Sequence, residues 1–243
     1  MIRKKFTKLS KDDTPMVRRG AAQSIVKIAK FVESRFTKEF LLPLIKSLLE
    51  DNNDSVKIYA VQSSLEVAKA VDDSAMLREC VLPSFKTSAS NRYSWRLRFA
   101  VAETAAELSK YLELDAIDNE ILSIYELLMR DNEPEVRSEA VAKLPFMAKN
   151  CTQSLLIEKI IPIIKEQIAN DASNHVKGSM AQGICDLSDA LSTEQILEHV
   201  VPPILKIMQE SSTDVRISLM KNIAKLAKNM GEEQVEQVII PEI

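Results

Sequence analysis

The chain has 243 residues, of which 46% are hydrophobic and 28% charged, with only 4 Gly, 3 Cys, 2 His and 1 Trp. Glycine falls under 2% against an average near 7%, too sparse for the hairpins, phosphate loops and tight βα turns of sheet-containing folds, so the chain is expected to be all-α. Lys+Arg 32 against Asp+Glu 35 leaves a net charge of −3, which argues against nucleic acid as a partner. No signal peptide and no apolar run of about 18 residues is present, giving the expectation of a soluble intracellular protein without a membrane partner. Cys80, Cys151 and Cys185 are odd in number and lack CxxC spacing, as buried thiols in a reducing compartment would be.

In chain order, the elements repeat. A polar or acidic turn followed by a bulky apolar residue and then a basic one occurs at Val17-Arg18, Val56-Lys57, Trp95-Arg96, Val136-Arg137, Val176-Lys177 and Val215-Arg216. The separations are 39, 39, 41, 40 and 39 residues, the mark of a repeat architecture. The implied repeats are 1–35, 36–73, 74–114, 115–153, 154–192 and 193–232, with 233–243 starting a further one. Each reads as two helices, A and B. Helix B of the first repeat carries Val17, Ala21, Ile25, Ile28, Ala29 and Val32, and the last carries Val215, Leu219, Ile223, Leu226, Ala227 and Met230, both one-faced helical stripes. Pro15 and Pro134 suit a first helical position, with Thr14 as a cap. Pro43, Pro83, Pro162 and Pro202 lie 12 to 14 residues before the pair of their own repeats, with Ser123 in the fourth. Such a proline either opens helix A or bends it. No pair could bury its apolar stripe alone, whereas stacked copies can, so 1–243 is read as a single α-solenoid domain.

Six residues before each basic member stand Asp12, Asp51, Ser90, Asp131, Asp171 and Glu210. A carboxylate ending helix A and a cation opening helix B can meet across the turn, within a repeat or to its neighbour, so the six cations are read as one ion-pair and hydrogen-bond ladder rather than as catalytic groups. Trp95 reads as packed core or as a partner anchor. His175 and His199 are 24 residues apart, with neither H-E-x-x-H spacing nor a Cys cluster, and no cysteine has a base nearby in sequence, so no catalytic, metal or cofactor site is expected.

The architecture resembles the HEAT repeat. The run Asp12-Asp13-Thr14-Pro15-Met16-Val17-Arg18-Arg19-Gly20-Ala21-Ala22, with Ser94-Trp95-Arg96-Leu97-Arg98-Phe99, Glu135-Val136-Arg137 and Asn170-Asp171-Ala172-Ser173-Asn174-His175-Val176-Lys177, is similar to the scaffolding (A) subunit family of protein phosphatase 2A. The resemblance implies a right-handed superhelix of about six HEAT repeats, corresponding to the middle of that family's fifteen, and a fragment of a longer chain. It further implies a non-enzymatic cytoplasmic scaffold, with the nucleus open as a second location. Regulatory B subunits are expected on the first four intra-repeat turns, and the catalytic subunit mostly on repeats beyond Ile243. Matching positions are Asp13, Thr14, Pro15, Arg18, Arg19, Asp54, Ser94, Trp95 and Glu133. Tyr93 departs from the family at a place often basic. Arg19 stands off the ladder register, so a protein partner or water is expected to satisfy it. The alternative is an importin-like transport adaptor or another protein-binding solenoid.

Overall fold

The computed structural model describes residues 2–242, among which there is no strand; Ile243, the last residue of the expected further repeat, lies outside them. Two compact units divide the chain at Leu127 and Leu128.

In the first unit, α1 (Ile2–Ser10) packs on α2 (Pro15–Ala29), α3 (Leu42–Leu49) on α4 (Asp54–Val71), and α6 (Leu82–Ala89) on α7 (Trp95–Leu108); α5 (Ser74–Cys80) leads into α6, and all of α8 (Leu122–Leu128) but its last residue belongs to this unit. The B helices α2, α4 and α7 are consecutive neighbours. Their shared face buries Ile25, Val56, Val61, Val67, Leu97, Val101 and Leu108 completely. Each such side chain removed from water contributes about 1.5–3 kcal/mol. Polar side chains tie the helices together as well. Ser63 Oγ donates to the Ala22 carbonyl at 2.9 Å, and Tyr125 Oη donates to the Ala102 carbonyl at 2.8 Å, both inside the core.

The second unit repeats the scheme. α9 (Pro134–Ala148), α11 (Asn174–Leu187) and α13 (Thr213–Met230) are the B helices, with α10 (Ile161–Asn170) on α11 and α12 (Val201–Met208) on α13. Approach is tight at Gly183, where a Cβ would stand 2.7 Å from Val141 Cγ2. Ser218 Oγ donates to the Gly178 carbonyl at 2.8 Å.

Pro43, Pro162 and Pro202 lie within helix A, each just after a wide turn of the helix. Wide turns in which an N–H reaches back five residues occupy Thr37–Leu41, Leu156–Ile160 and Ile196–Val200, immediately ahead of α3, α10 and α12. In each, the residue just before the proline donates across the wide turn: Leu42 to Thr37, Ile161 to Leu156, Val201 to Ile196. A proline cannot donate and crowds the carbonyl four residues back; the wide turn lets the ladder of bonds resume around it. Ile117–Ile121 forms the same turn where Ser123 replaces proline, so the wide turn belongs to the repeat and not to the ring alone. At Pro83 the helix instead breaks at Val81, between α5 and α6.

The third repeat requires a correction. Its apolar-basic pair is Leu97-Arg98, not Trp95-Arg96: Leu97 and Arg98 are buried, whereas Trp95 is half-exposed at the first position of α7 and Arg96 is exposed. The acidic position is held by Asn91 rather than Ser90, since Asn91 Oδ1 accepts the Tyr93 N–H at 2.9 Å, as the aspartates do at the other turns. One extra residue in this turn shifts the register, and the aromatic-basic pair imitates the true one. Thr14 also departs from expectation: it holds the cap position of α2, yet its hydroxyl makes no capping bond, and Asp12 Oδ1 instead accepts the Thr14 N–H at 2.9 Å. Pro15 does open α2.

Cys151 and Cys185 are buried and Cys80 half-buried. Burial pushes the Cys185 thiol up to about 12, well out of nucleophilic range.

Candidate functional site

The turn joining helix A to helix B brings cations and exposed side chains together in each repeat, and acids with them in all but the third. Its frame is a set of inter-repeat rungs. Arg18 Nη1 donates to the carbonyls of Asp12 (2.8 Å) and Asp13 (3.1 Å) in its own turn, while Nε and Nη2 grip the Asp51 carboxylate of the following repeat at 2.6 and 2.9 Å. Arg137 does the same in the second unit: Nη1 to the Asp131 and Asn132 carbonyls at 2.7 and 3.1 Å, Nε and Nη2 to Asp171 at 2.7 and 2.9 Å. Lys177 reaches Glu210 at 2.7 Å, and Arg216 caps the carbonyls of Glu210 and Ser211. The cation therefore pairs with its neighbour's carboxylate and not its own. Each aspartate also accepts an N–H two residues on, Asp51 from Asn53 at 2.8 Å and Asp171 from Ser173 at 2.8 Å, which fixes the turn ahead of helix B.

Burial alone pushes the Asp51 carboxyl up, but the bonds from Arg18 and the Asn53 N–H, with the charges of Arg18 and Lys57, outweigh it and hold Asp51 below the usual carboxylate range. Within the first unit the rung is missing after the second repeat. Asn91 offers no charge to Lys57, which turns to Asp54 of its own helix at 3.3 Å. A shallow groove of about 300 Å3 lies there, lined by Glu50, Lys57, Ser84, Ser88 and Asn91 among others.

All nine positions singled out in the sequence lie at these turns, but not in one role. Eight lie in the first unit and Glu133 in the second. Asp13 and Thr14 are exposed. Arg18, only 12% exposed, is a rung and has little surface to offer. Ser94 Oγ caps α7 by accepting the Leu97 N–H at 3.3 Å. Asp54 holds Lys57, and the Glu133 backbone N–H bonds to Asp131 at 2.9 Å. Arg19 is half-buried, its guanidinium 5.8 Å from the centre of the Tyr59 ring, which orients the side chain without satisfying its N–H groups. Trp95 packs edge-on to Phe99 at 6.4 Å, with Arg96 over its ring at 4.6 Å. Met16 and Arg92 are also exposed at the turns, Met16 at 70%, and no repeating pattern in the sequence marks either. Tyr93, in sequence only a departure from the family, is 96% exposed. No group of three metal-ligating side chains occurs among the described residues, and no described helix is long and apolar enough to cross a membrane.

Residues 115–191 match the family model of the PPP2R1A-like HEAT repeat. The beta isoform of the human 65 kDa regulatory (A) subunit of serine/threonine-protein phosphatase 2A is 32% identical over 122 residues, 49% of this chain and 20% of that protein. The regulatory (A) subunit of protein phosphatase PP2A from Schizosaccharomyces pombe is 29% identical over 119 residues, again 49% of this chain and 20% of its own length. The matched stretch thus spans a fifth of these relatives. Among solved structures, Kap121p bound to Pho4p superposes with a TM-score of 0.76 at 14% identity, covering 98% of this chain and 24% of that one. A designed armadillo repeat protein gives 0.59 at 16%, covering 92% and 99%. The fold is an all-α solenoid of the armadillo and HEAT kind, and about half of the chain is similar in sequence to the phosphatase 2A regulatory (A) subunits.

Proposed function

We propose that the chain is part of a non-enzymatic scaffold that holds the catalytic subunit of a type 2A Ser/Thr phosphatase beside a regulatory B-type subunit. The turns described above meet the B-type subunit, while further repeats carry most of the contacts to the catalytic one. The observation behind this reading is the similarity to the curated phosphatase 2A regulatory (A) subunits, together with Asp12–Arg18, the stretch of turn chemistry that carries the resemblance. The mechanism is proximity: two proteins held on one support meet at an effective concentration set by the support, without any new contact between them. Rungs such as Arg18–Asp51 suit this task, because they set each turn's orientation relative to the next within a unit.

An importin-like adaptor is the second reading, favoured by the superposition on Kap121p bound to Pho4p. One capture experiment separates the two. The immobilised chain is offered regulatory B-type subunits, and in a parallel arm a transport cargo with a small GTPase. Retention of the B-type subunit, weakened about tenfold by Arg19→Ala and by Trp95→Ala with helicity unchanged, is the expected result. Retention of cargo or GTPase in its place overturns the scaffold reading, and unchanged retention by both variants removes Arg19 and Trp95 from the contact surface.

A further inference from the structure

The third turn differs from the others in charge as well as register. From Cys80 to Ala102 there is no Asp or Glu, while Lys86, Arg92, Arg96 and Arg98 fall within that span. Elsewhere the turns keep acids beside their cations: Asp12 and Asp13, Asp51 and Asp54, Asp131 and Glu133, Asp171, Glu210 and Asp214. Arg98 is buried and donates to the Asn91 carbonyl at 2.7 Å. Lys86, Arg92 and Arg96 are exposed, and among the described residues none of them has a carboxylate partner. Arg96 is already oriented, lying over Trp95. Tyr93 projects beside them, 96% exposed, and lines a shallow recess with Lys86, Thr87, Ser90, Asn91 and Arg92.

On a chain of net charge −3, this is a confined cationic surface edged by two aromatic rings. An arginine already oriented over a ring, with two further unpaired cations in the same turn, favours a charge-assisted bond to an arriving carboxylate. Phosphate backbones fit it poorly. Three accessible cations release few counterions, and the rest of the chain is net negative. We propose that the third turn docks an acidic segment of a partner protein, with carboxylates on Lys86, Arg92 and Arg96 and an apolar side chain against Tyr93. This deepens the reading of the turns as a protein-binding ridge and rests on it.

Trp95 is the sole tryptophan and reports directly on the site. A short glutamate-rich peptide containing a leucine pair, and its glutamine counterpart, are titrated into the full chain at physiological ionic strength while Trp95 emission is followed. The glutamate peptide shifts the emission saturably and the glutamine peptide does not. Lys86→Glu with Arg92→Glu weakens binding about tenfold or more, whereas Lys4→Glu with Lys8→Glu, an exposed pair on α1, changes it less than about twofold. The assignment is overturned by a flat titration or by equal losses in the two charge-reversed pairs. Tighter binding to anionic vesicles or to a single-stranded oligonucleotide than to the peptide also overturns it. So does self-association in sedimentation that the Lys86/Arg92 pair abolishes, which makes a second copy the occupant. Capture of the B-type subunit by the unaltered chain is scored separately. If capture persists while the titration is flat, the third-turn assignment fails and the scaffold reading stands; if the peptide binds and capture is absent, the reverse holds.

Discussion

Arg137 closes two repeats with one guanidinium, and the Asp171 side chain it holds is only 2% exposed. Arg137→Ala strands that carboxylate without its cation, so unfolding free energy in urea is expected to drop by about 3 kcal/mol. Asp171→Asn in the same background recovers part of the loss by removing the stranded charge, and no recovery would count against the rung. Acid acts on the same chemistry. Asp51, Asp73 and Asp189 are all held below the ordinary carboxylate range: Asp51 and Asp189 although burial pushes them up, Asp73 first by the Met76 N–H and then by Lys38. Between the folded and unfolded values the unfolded chain binds more protons, so their contribution is complete above about pH 5 and is lost as pH falls through about 4 and below. Asp51→Asn is expected to flatten the fall in urea midpoint between pH 5 and 3 (about one carboxylate's share of it), and an unaltered profile would show that Asp51 gains nothing from Arg18.

Helix pairs are held at distances set by their smallest residues. At Gly183 a methyl group would press on Val141 Cγ2 at 2.7 Å and approach its carbonyl at 3.4 Å, so Gly183→Ala is expected to cost about 1–3 kcal/mol despite its better helix propensity. Val141→Ala relieves the clash, and the two changes together should destabilise by less than their sum; simple additivity would mean the helices do not meet there. The wide turn in helix A gives an opposite expectation. Ser123 sits where the other repeats have proline, directly after the same wide turn, so Ser123→Pro should change stability by about 1 kcal/mol or less, against about 3 for proline placed at random inside a helix. A large loss of helical circular dichroism in that variant would show that the wide turn depends on its Ser123 Oγ bond to the Asn119 carbonyl.

These elements also show what the sequence could tell. The period, the stripes and the all-helical class were legible, because repetition averages away local noise. The third repeat misleads because Trp95-Arg96 satisfies a two-residue pattern, while the buried stripe Leu97, Val101, Ala105 and Leu108 carries the true register. Aligning whole stripes instead of pairs finds it, with Asn91 in the acidic place. The direction of the rungs, the placing of Arg19 by the Tyr59 ring and the wide turn ahead of Pro43 were not legible, since each depends on neighbours about 40 residues away or on hydrogen bonds displaced by one residue. The charge of the third turn was legible as a window without acids, a signal hidden when the pairs are read one by one.

For the whole molecule, stacking of this kind makes stability a sum over neighbouring repeats. Gly183→Ala should therefore lower amide-exchange protection in α9, α11 and α13 by the same free energy that urea reports. Helices α2 and α4 should keep theirs, and a uniform loss across the chain would mean one cooperative block. The arginine rungs bear on how such chains lengthen. Arg18 takes two carbonyls from the turn behind it and a carboxylate from the turn ahead, so donor and acceptor demands balance only over a complete period. Duplication or excision of a full unit leaves every rung matched, whereas a cut at any other phase strands an aspartate or a guanidinium. Growth by whole modules is thus written into the loops themselves, and the asparagine at position 91 marks the one joint in the first unit where that grammar has been relaxed.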